Sequence, residues 1–249
     1  MILAIDAGNS RVKWGWYEEG KPEAGGKGGW TSVANVSLIE FAASSDHINP
    51  FSATHANPSR IVVSNVAGDG AHQLIVNWTS IFDATPEWVH GERELCGVKS
   101  RYERPEQLGP DRWAALIAAR ALEPGRACLV ANAGTCTTID MLSGQGEFTG
   151  GVILPGIDLM RFVLHEHTGR LPLQEGLFSA APRNTLDAIE TGCRQAQAGA
   201  VERMHRVLGS GSACVVSGGG GKALIERLDL PCRYVENLVL EGLALIGRS

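Results

Sequence analysis

The chain has 249 residues, 44% of them hydrophobic and 20% charged, which suits one large or two ordinary globular domains with enough chain for a real core. Its 22 basic and 27 acidic residues give a net charge of −5, and no basic cluster of the kind that nucleic-acid binding needs is present. No stretch approaches the roughly 20 apolar residues of a membrane-spanning helix. Met1–Asp6 lacks the basic start of a signal peptide, so the expectation is a cytoplasmic protein with neither a membrane nor a nucleic-acid partner.

Ile2–Ile5 is a short apolar run and reads as a buried strand. Asp6-Ala-Gly-Asn-Ser10 is turn chemistry, and Val12–Tyr17 alternates before the Glu18-Glu-Gly20 turn, completing a strand–turn–strand opening. Trp14 and Trp16 share one face of that second strand and read as core. Gly25–Gly29 reads as a further turn. Ile61–Val66 reads as a buried strand, and the apolar spacing over Ala71–Phe82 predicts a helix. Pro110–Leu122 is a stronger helix, with proline at its start, Ala and Leu through its body, and Pro124-Gly125 as its stop.

The second half repeats the opening. Ala127–Ala131 reads as a strand, Asn132–Thr135 as a turn and Thr137–Leu142 as a strand. A hairpin at Gly144–Gly146 then leads into Gly150–Leu154. Asp187–Leu208 predicts a long helix, Cys214–Ser217 a strand, Lys222–Leu228 a short helix and Glu236–Ile246 a closing helix. Asp6-Ala-Gly-Asn-Ser10 and Asn132-Ala-Gly-Thr-Cys136 occupy matching places after matching strands. This points to an α/β protein with mixed sheets, built from two related domains, 1–115 and 116–249.

A turn of small residues between strands exposes successive N–H groups that can hold phosphate oxygens. Asp6 would add a carboxylate beside them, suited to Mg²⁺, and the plain alternative is an ordinary hairpin. Gly109-Pro-Asp-Arg112 puts Asp111 in the first turn of a helix. There it is either a helix-start residue favoured by the dipole or a carboxylate that accepts a proton from an attacking hydroxyl. Arg112 beside it suits a carboxylate-bearing substrate. Two other phosphate motifs are absent. Positions 216 and 223 break a Walker A pattern before and after Lys222, and no G-x-G-x-x-G follows a strand. Ser217-Gly-Gly-Gly-Gly221 either lines a nucleotide pocket or permits close packing. The six cysteines show no C-x-x-C spacing and read as free thiols, and His165 and His167, two apart near a helix end, read as structural or surface residues.

Asp6-x-Gly-Asn-Ser10, Tyr102-x-Arg-Pro105, Gly109-Pro-Asp-Arg112, Asn132-Ala-Gly-Thr135 and Asn184-Thr185, in this order and spacing, resemble the type III pantothenate kinases. The resemblance implies two actin-like (ribonuclease H-like) domains with a cleft between them, and a homodimer. It implies ATP-dependent phosphorylation of pantothenate at its 4′-hydroxyl, the first step of coenzyme A synthesis. It implies ATP binding by Asp6, Ala7, Gly8, Asn9, Ser10, Arg11, Val12, Lys13 and Thr135. Asp111 would be the proton acceptor, and Tyr102, Gly109, Pro110, Asp111, Arg112 and Thr185 would hold pantothenate. Cofactors would be Mg²⁺ at Asp6 and a monovalent cation, potassium or ammonium. The chain departs from the family at the monovalent-cation position, where Asn132 replaces an aspartate. Two other readings stay open: a related kinase for another small hydroxyl or carboxylate substrate, and a non-catalytic regulatory factor.

Overall fold

The computed structural model describes residues 1–20, 30–37 and 57–249, so the expected turn at Gly25–Gly29 lies outside the described residues. The chain divides into two compact units, Met1–Pro124 with Asn237–Ser249, and Gly125–Glu236.

The first unit begins with β1 (Ile2–Ala7), β2 (Arg11–Tyr17) and β3 (Trp30–Ser37), joined antiparallel. β4 (Arg60–Asn65) pairs parallel with β1. After α1 (Asp69–Thr79), β5 (Pro86–Trp88) pairs parallel with β4, giving the order β3-β2-β1-β4-β5. A two-strand ribbon of β6 (Glu94–Leu95) and β7 (Val98–Ser100) follows. A 3-10 turn at Pro105–Gln107 then leads into α2 (Pro110–Leu122). Trp14 and Trp16 enter the core with Leu3, Ile5, Ile75 and Trp78, as their shared face predicts.

The second unit repeats the scheme. β8 (Cys128–Ala133), β9 (Cys136–Leu142) and β10 (Glu147–Pro155) run antiparallel. Helices α3 (Ile157–Glu166) and α4 (Thr185–Leu208) follow. β11 (Ala213–Ser217) then pairs parallel with β8, and after the short α5 (Gly221–Ile225), β12 (Arg233–Tyr234) pairs parallel with β11. The order β10-β9-β8-β11-β12 is therefore the first unit's order in a second copy.

α6 (Leu238–Gly247) closes the chain and returns to the first unit. Glycine makes this possible. A Cβ on Gly242 would lie 1.9 Å from the Ala114 carbonyl oxygen of α2, and one on Gly247 would lie 2.8 Å from Ile2 Cγ2 of β1. The boundary expected after residue 115 is thereby corrected. It falls inside α2, whose consecutive residues from Arg112 to Ala119 are buried on every side of the helix, and the last helix packs with the beginning of the chain. Sequence reasoning recognises only the end of helix α3, near His165 and His167; its apolar Phe162 and Val163 lie exposed. Among the described residues no helix is long and apolar enough to cross a membrane.

Candidate active site

In the first unit the β1–β2 turn is pinned by a hydrogen bond from the Gly8 N–H to the Arg11 carbonyl, 2.9 Å. A side chain at Gly8 would crowd that carbonyl at 3.2 Å. Asn9, Ser10 and Arg11 lie exposed at the tip, whereas Ala7 and Val12 are buried register partners behind it. Asp6 sits one step deeper. Its neighbours in register are Lys13 on β2 and Ser64 on β4. Asp6 Oδ1 and Ser64 Oγ are both buried without a hydrogen-bond partner among the described residues. Burial, and then the negative charge of Asp111, push the Asp6 carboxyl up to about 7; Lys13 and the nearby Ser64 hydroxyl oppose the rise.

Asp111 is held by the start of α2. Its carboxylate accepts from the backbone N–H groups of Arg112 and of Asp111 itself, yet burial outweighs these contacts and the adjacent guanidinium, and its pKa is raised. A Cβ at Gly109 would lie 2.6 Å from Asp111 Oδ1, so a side chain there would displace the carboxylate from this position. Arg112 is buried on α2, with Nη1 3.4 Å from the Tyr102 hydroxyl and its guanidinium carbon 5.9 Å from the centre of that ring. The fold thus brings Asp6, Asp111, Arg112 and Tyr102 into one electrostatic neighbourhood of the first unit.

Two carboxylates raised by burial, Asp6 also by the charge of Asp111, form a place that favours a cation. The unpartnered Oδ1 of Asp6 is the kind of oxygen that Mg²⁺ takes, since that ion binds through one or two carboxylates and fills its remaining positions with water and phosphate oxygens. The residues present therefore fit Mg²⁺.

In the second unit the β8–β9 turn carries the matching bond, Gly134 N–H to the Cys136 carbonyl at 3.0 Å. Thr135 is exposed, and its carbonyl accepts from Gly156 at the head of α3, 2.8 Å. Asn132 stands where Asp6 stands in the first copy, with Thr138 and Ser217 as register neighbours. The glycine-rich loop closes directly over it. Gly218 adopts φ +90°, and a Cβ there would lie 2.4 Å from the Ala133 carbonyl and 2.7 Å from Asn132 Oδ1. Close packing therefore explains Gly218, while Gly219 faces open space.

Thr185 opens α4, one residue after Asn184, whose side chain caps the helix by accepting from the Asp187 N–H at 2.9 Å. Thr185 lines an apolar groove of about 960 Å³ with Met160, Val163, Leu164, Ile189 and Cys193. Sequence reasoning placed Ser217 with the glycine-rich loop but missed Ser64. Both end a Val-Val-Ser run, residues 62–64 and 215–217, and that echo was the signal for Ser64.

Residues 2–207 match the family model described as type III pantothenate kinase. The chain belongs to the type III pantothenate kinase family. A type III pantothenate kinase of Aromatoleum aromaticum is 48% identical over 100% of this chain and 98% of its own length. One from an Azoarcus species is 43% identical over 100% and 91%. Among solved structures, a Sinorhizobium meliloti protein assigned as a 2-dehydro-3-deoxygalactonokinase aligns with a TM-score of 0.63 at 16% identity, covering 100% of this chain and 98% of that one. At that identity the likeness shows the fold alone, and the fold is that of the actin-like kinases. The family's motifs are thus carried on the expected scaffold of mixed sheets flanked by helices.

Proposed function

We propose that this chain transfers the γ-phosphoryl group of ATP to the 4′-hydroxyl of pantothenate, giving ADP and 4′-phosphopantothenate. The observation that carries the proposal is the shared neighbourhood of Asp6 and Asp111, found in a chain that matches family members along its whole length. The Asp6–Lys13 turn offers backbone N–H groups and one ammonium to the phosphates, and Thr135 and the Gly219 side of the glycine-rich loop serve the nucleotide. Arg112 and Tyr102 hold the pantothenate carboxylate, with Gly109 and Pro110 shaping the wall beside it, and Thr185 adds a substrate contact across the dimer interface. Asp111 orients the attacking hydroxyl towards the γ-phosphorus. A new O–P bond forms as the bond to the β,γ-bridging oxygen breaks, and the hydroxyl proton passes to Asp111. Bound Mg²⁺, held by Asp6, would neutralise charge on the phosphates.

Asn132 does not fit the family's monovalent cation. It supplies one neutral oxygen, already packed against Gly218, where a carboxylate would supply charge. The proposal includes no step through potassium or ammonium. A homodimer is also proposed, formed over the apolar groove flanked by the exposed Phe162, Leu173 and Leu177.

The test is ADP release by the purified protein with ATP, Mg²⁺ and pantothenate, run beside a panel of other hydroxy acids and sugars. Pantothenate-dependent release is expected. Release with another acceptor and none with pantothenate would assign a different substrate.

A further inference from the structure

Tyr102 lies on a segment outside regular secondary structure. Residues 101–104 join β7 to the 3-10 turn without forming a helix or a strand, and Tyr102 itself is half-buried. What fixes the segment comes from residues 91–93, just before β6. The Arg93 guanidinium donates to three backbone carbonyls: Nη1 to Ser100 at 3.2 Å and to Tyr102 at 2.9 Å, and Nη2 to Glu103 at 3.2 Å. Two residues earlier, Gly91 supports the far end. A Cβ there would lie 2.2 Å from the Pro105 carbonyl and 2.7 Å from that of Leu108, so the turn that feeds Gly109 rests directly on the Gly91 backbone.

We propose that Arg93 is a positioning residue for substrate recognition: it clamps the 100–103 backbone so that Tyr102 meets Arg112 and both face the acceptor's carboxylate. The inference rests on the pantothenate-kinase reading above and adds a residue to it. The planar guanidinium makes the clamp possible, because several N–H donors diverge in a fixed fork. Charge-assisted hydrogen bonds are about twice as strong as neutral ones. Lysine offers one nitrogen and cannot span carbonyls contributed by residues 100, 102 and 103. The Tyr102 N–H adds a weaker tie to Ser100 Oγ at 3.3 Å.

Losing the clamp leaves the segment sampling several conformations, only one of which presents Tyr102 correctly. Apparent affinity then falls by the fraction still competent, whereas turnover of the bound complex is kept. Arg93 is exposed and outside the packed core, so its removal spares the fold.

The experiment compares Arg93→Ala and Arg93→Lys with the wild type by steady-state kinetics, thermal melting and limited trypsin digestion, following cleavage of the Arg101–Tyr102 bond by mass. For Arg93→Ala we expect a rise of about tenfold in the pantothenate KM, with kcat and the ATP KM within about twofold and an unchanged melting temperature. Tryptic cleavage after Arg101 should quicken by about tenfold. Arg93→Lys should fall between the two proteins. Unchanged cleavage would overturn the clamp, and faster cleavage with an unchanged pantothenate KM would overturn its role in recognition. A lowered melting temperature with both KM values raised would reduce Arg93 to a structural part. Should the wild type not use pantothenate at all, the functional reading fails by itself, while the digestion still tests the clamp.

Discussion

The two units present the same strand order and the same pinned turn, but they place different chemistry on them. In the first, Asp6 stands between Lys13 and Ser64; in the second, Asn132 stands between Thr138 and Ser217. The first turn holds Gly8, Asn9 and Ser10 between its strands, the second only Gly134 and Thr135. Duplication supplies a geometry in which a central strand ends beneath a nest of backbone donors. Charge has been kept in one copy alone. A buried carboxylate next to another is costly without a cation, and the first unit carries that cost where Asp111 approaches Asp6. The second copy uses an amide of similar shape and avoids it.

The sharpest way to break the comparison is to remove charge from the charged copy. Asp111→Asn should fold normally and lose about 10²–10⁴-fold in kcat, because the hydroxyl loses its proton acceptor. Near wild-type turnover would remove Asp111 from that role. Asp6→Asn should lower turnover by roughly 10²-fold, the scale of one preorganised electrostatic group. It should also change the pH dependence of stability. Because the folded Asp6 holds its proton up to about 7, above the ordinary 3.8, the wild type loses stability as pH rises through that window. Without nucleotide or metal, Asp6→Asn should therefore melt higher than the wild type at pH 8 and converge with it near pH 4. A variant that melts lower at pH 8 would contradict the buried, unpartnered environment of Asp6.

The second copy is constrained by packing instead. Gly218→Ala would force a side chain into a backbone with φ +90° and against the Ala133 carbonyl. A loss of about 2–4 kcal/mol is expected in denaturant unfolding. Gly219→Ala, facing open space, should cost far less. Equal losses at the two positions would show that the loop's glycines serve chain flexibility rather than close approach.

Much of this was legible in the residues themselves. The boundaries of α2 follow from Pro110 and from Pro124-Gly125, because proline and glycine act locally. The two turns follow from small residues placed after apolar strands. What stayed hidden depends on contacts distant in sequence. The return of α6 to the first unit is set by Gly242 against Ala114, a proximity that no local pattern encodes. Ser64 matters only through its register beside Asp6. Arg93 reads as an ordinary surface charge until the carbonyls of residues 100, 102 and 103 are found turned towards it. Helix α3 was legible only at its histidine end, and its exposed Phe162 and Val163 show that an apolar run in sequence need not be a buried one.

The smallest change sharpens the comparison most. Asn132→Asp makes the second copy resemble the first in charge but without a lysine, since Thr138 occupies the position corresponding to Lys13. The new carboxylate would sit against Gly218 with only hydroxyl-bearing neighbours in register. It would need a counter-ion from solution, whereas the native amide needs none. The wild type should therefore turn over at the same rate, within about twofold, in potassium, ammonium or a bulky organic cation, and Asn132→Asp should become several-fold faster in potassium or ammonium than in the organic salt. A large potassium stimulation of the wild type would mean that backbone and amide oxygens bind the ion without help from a charge, and the absence of a carboxylate in the second copy would then have no bearing on cation use.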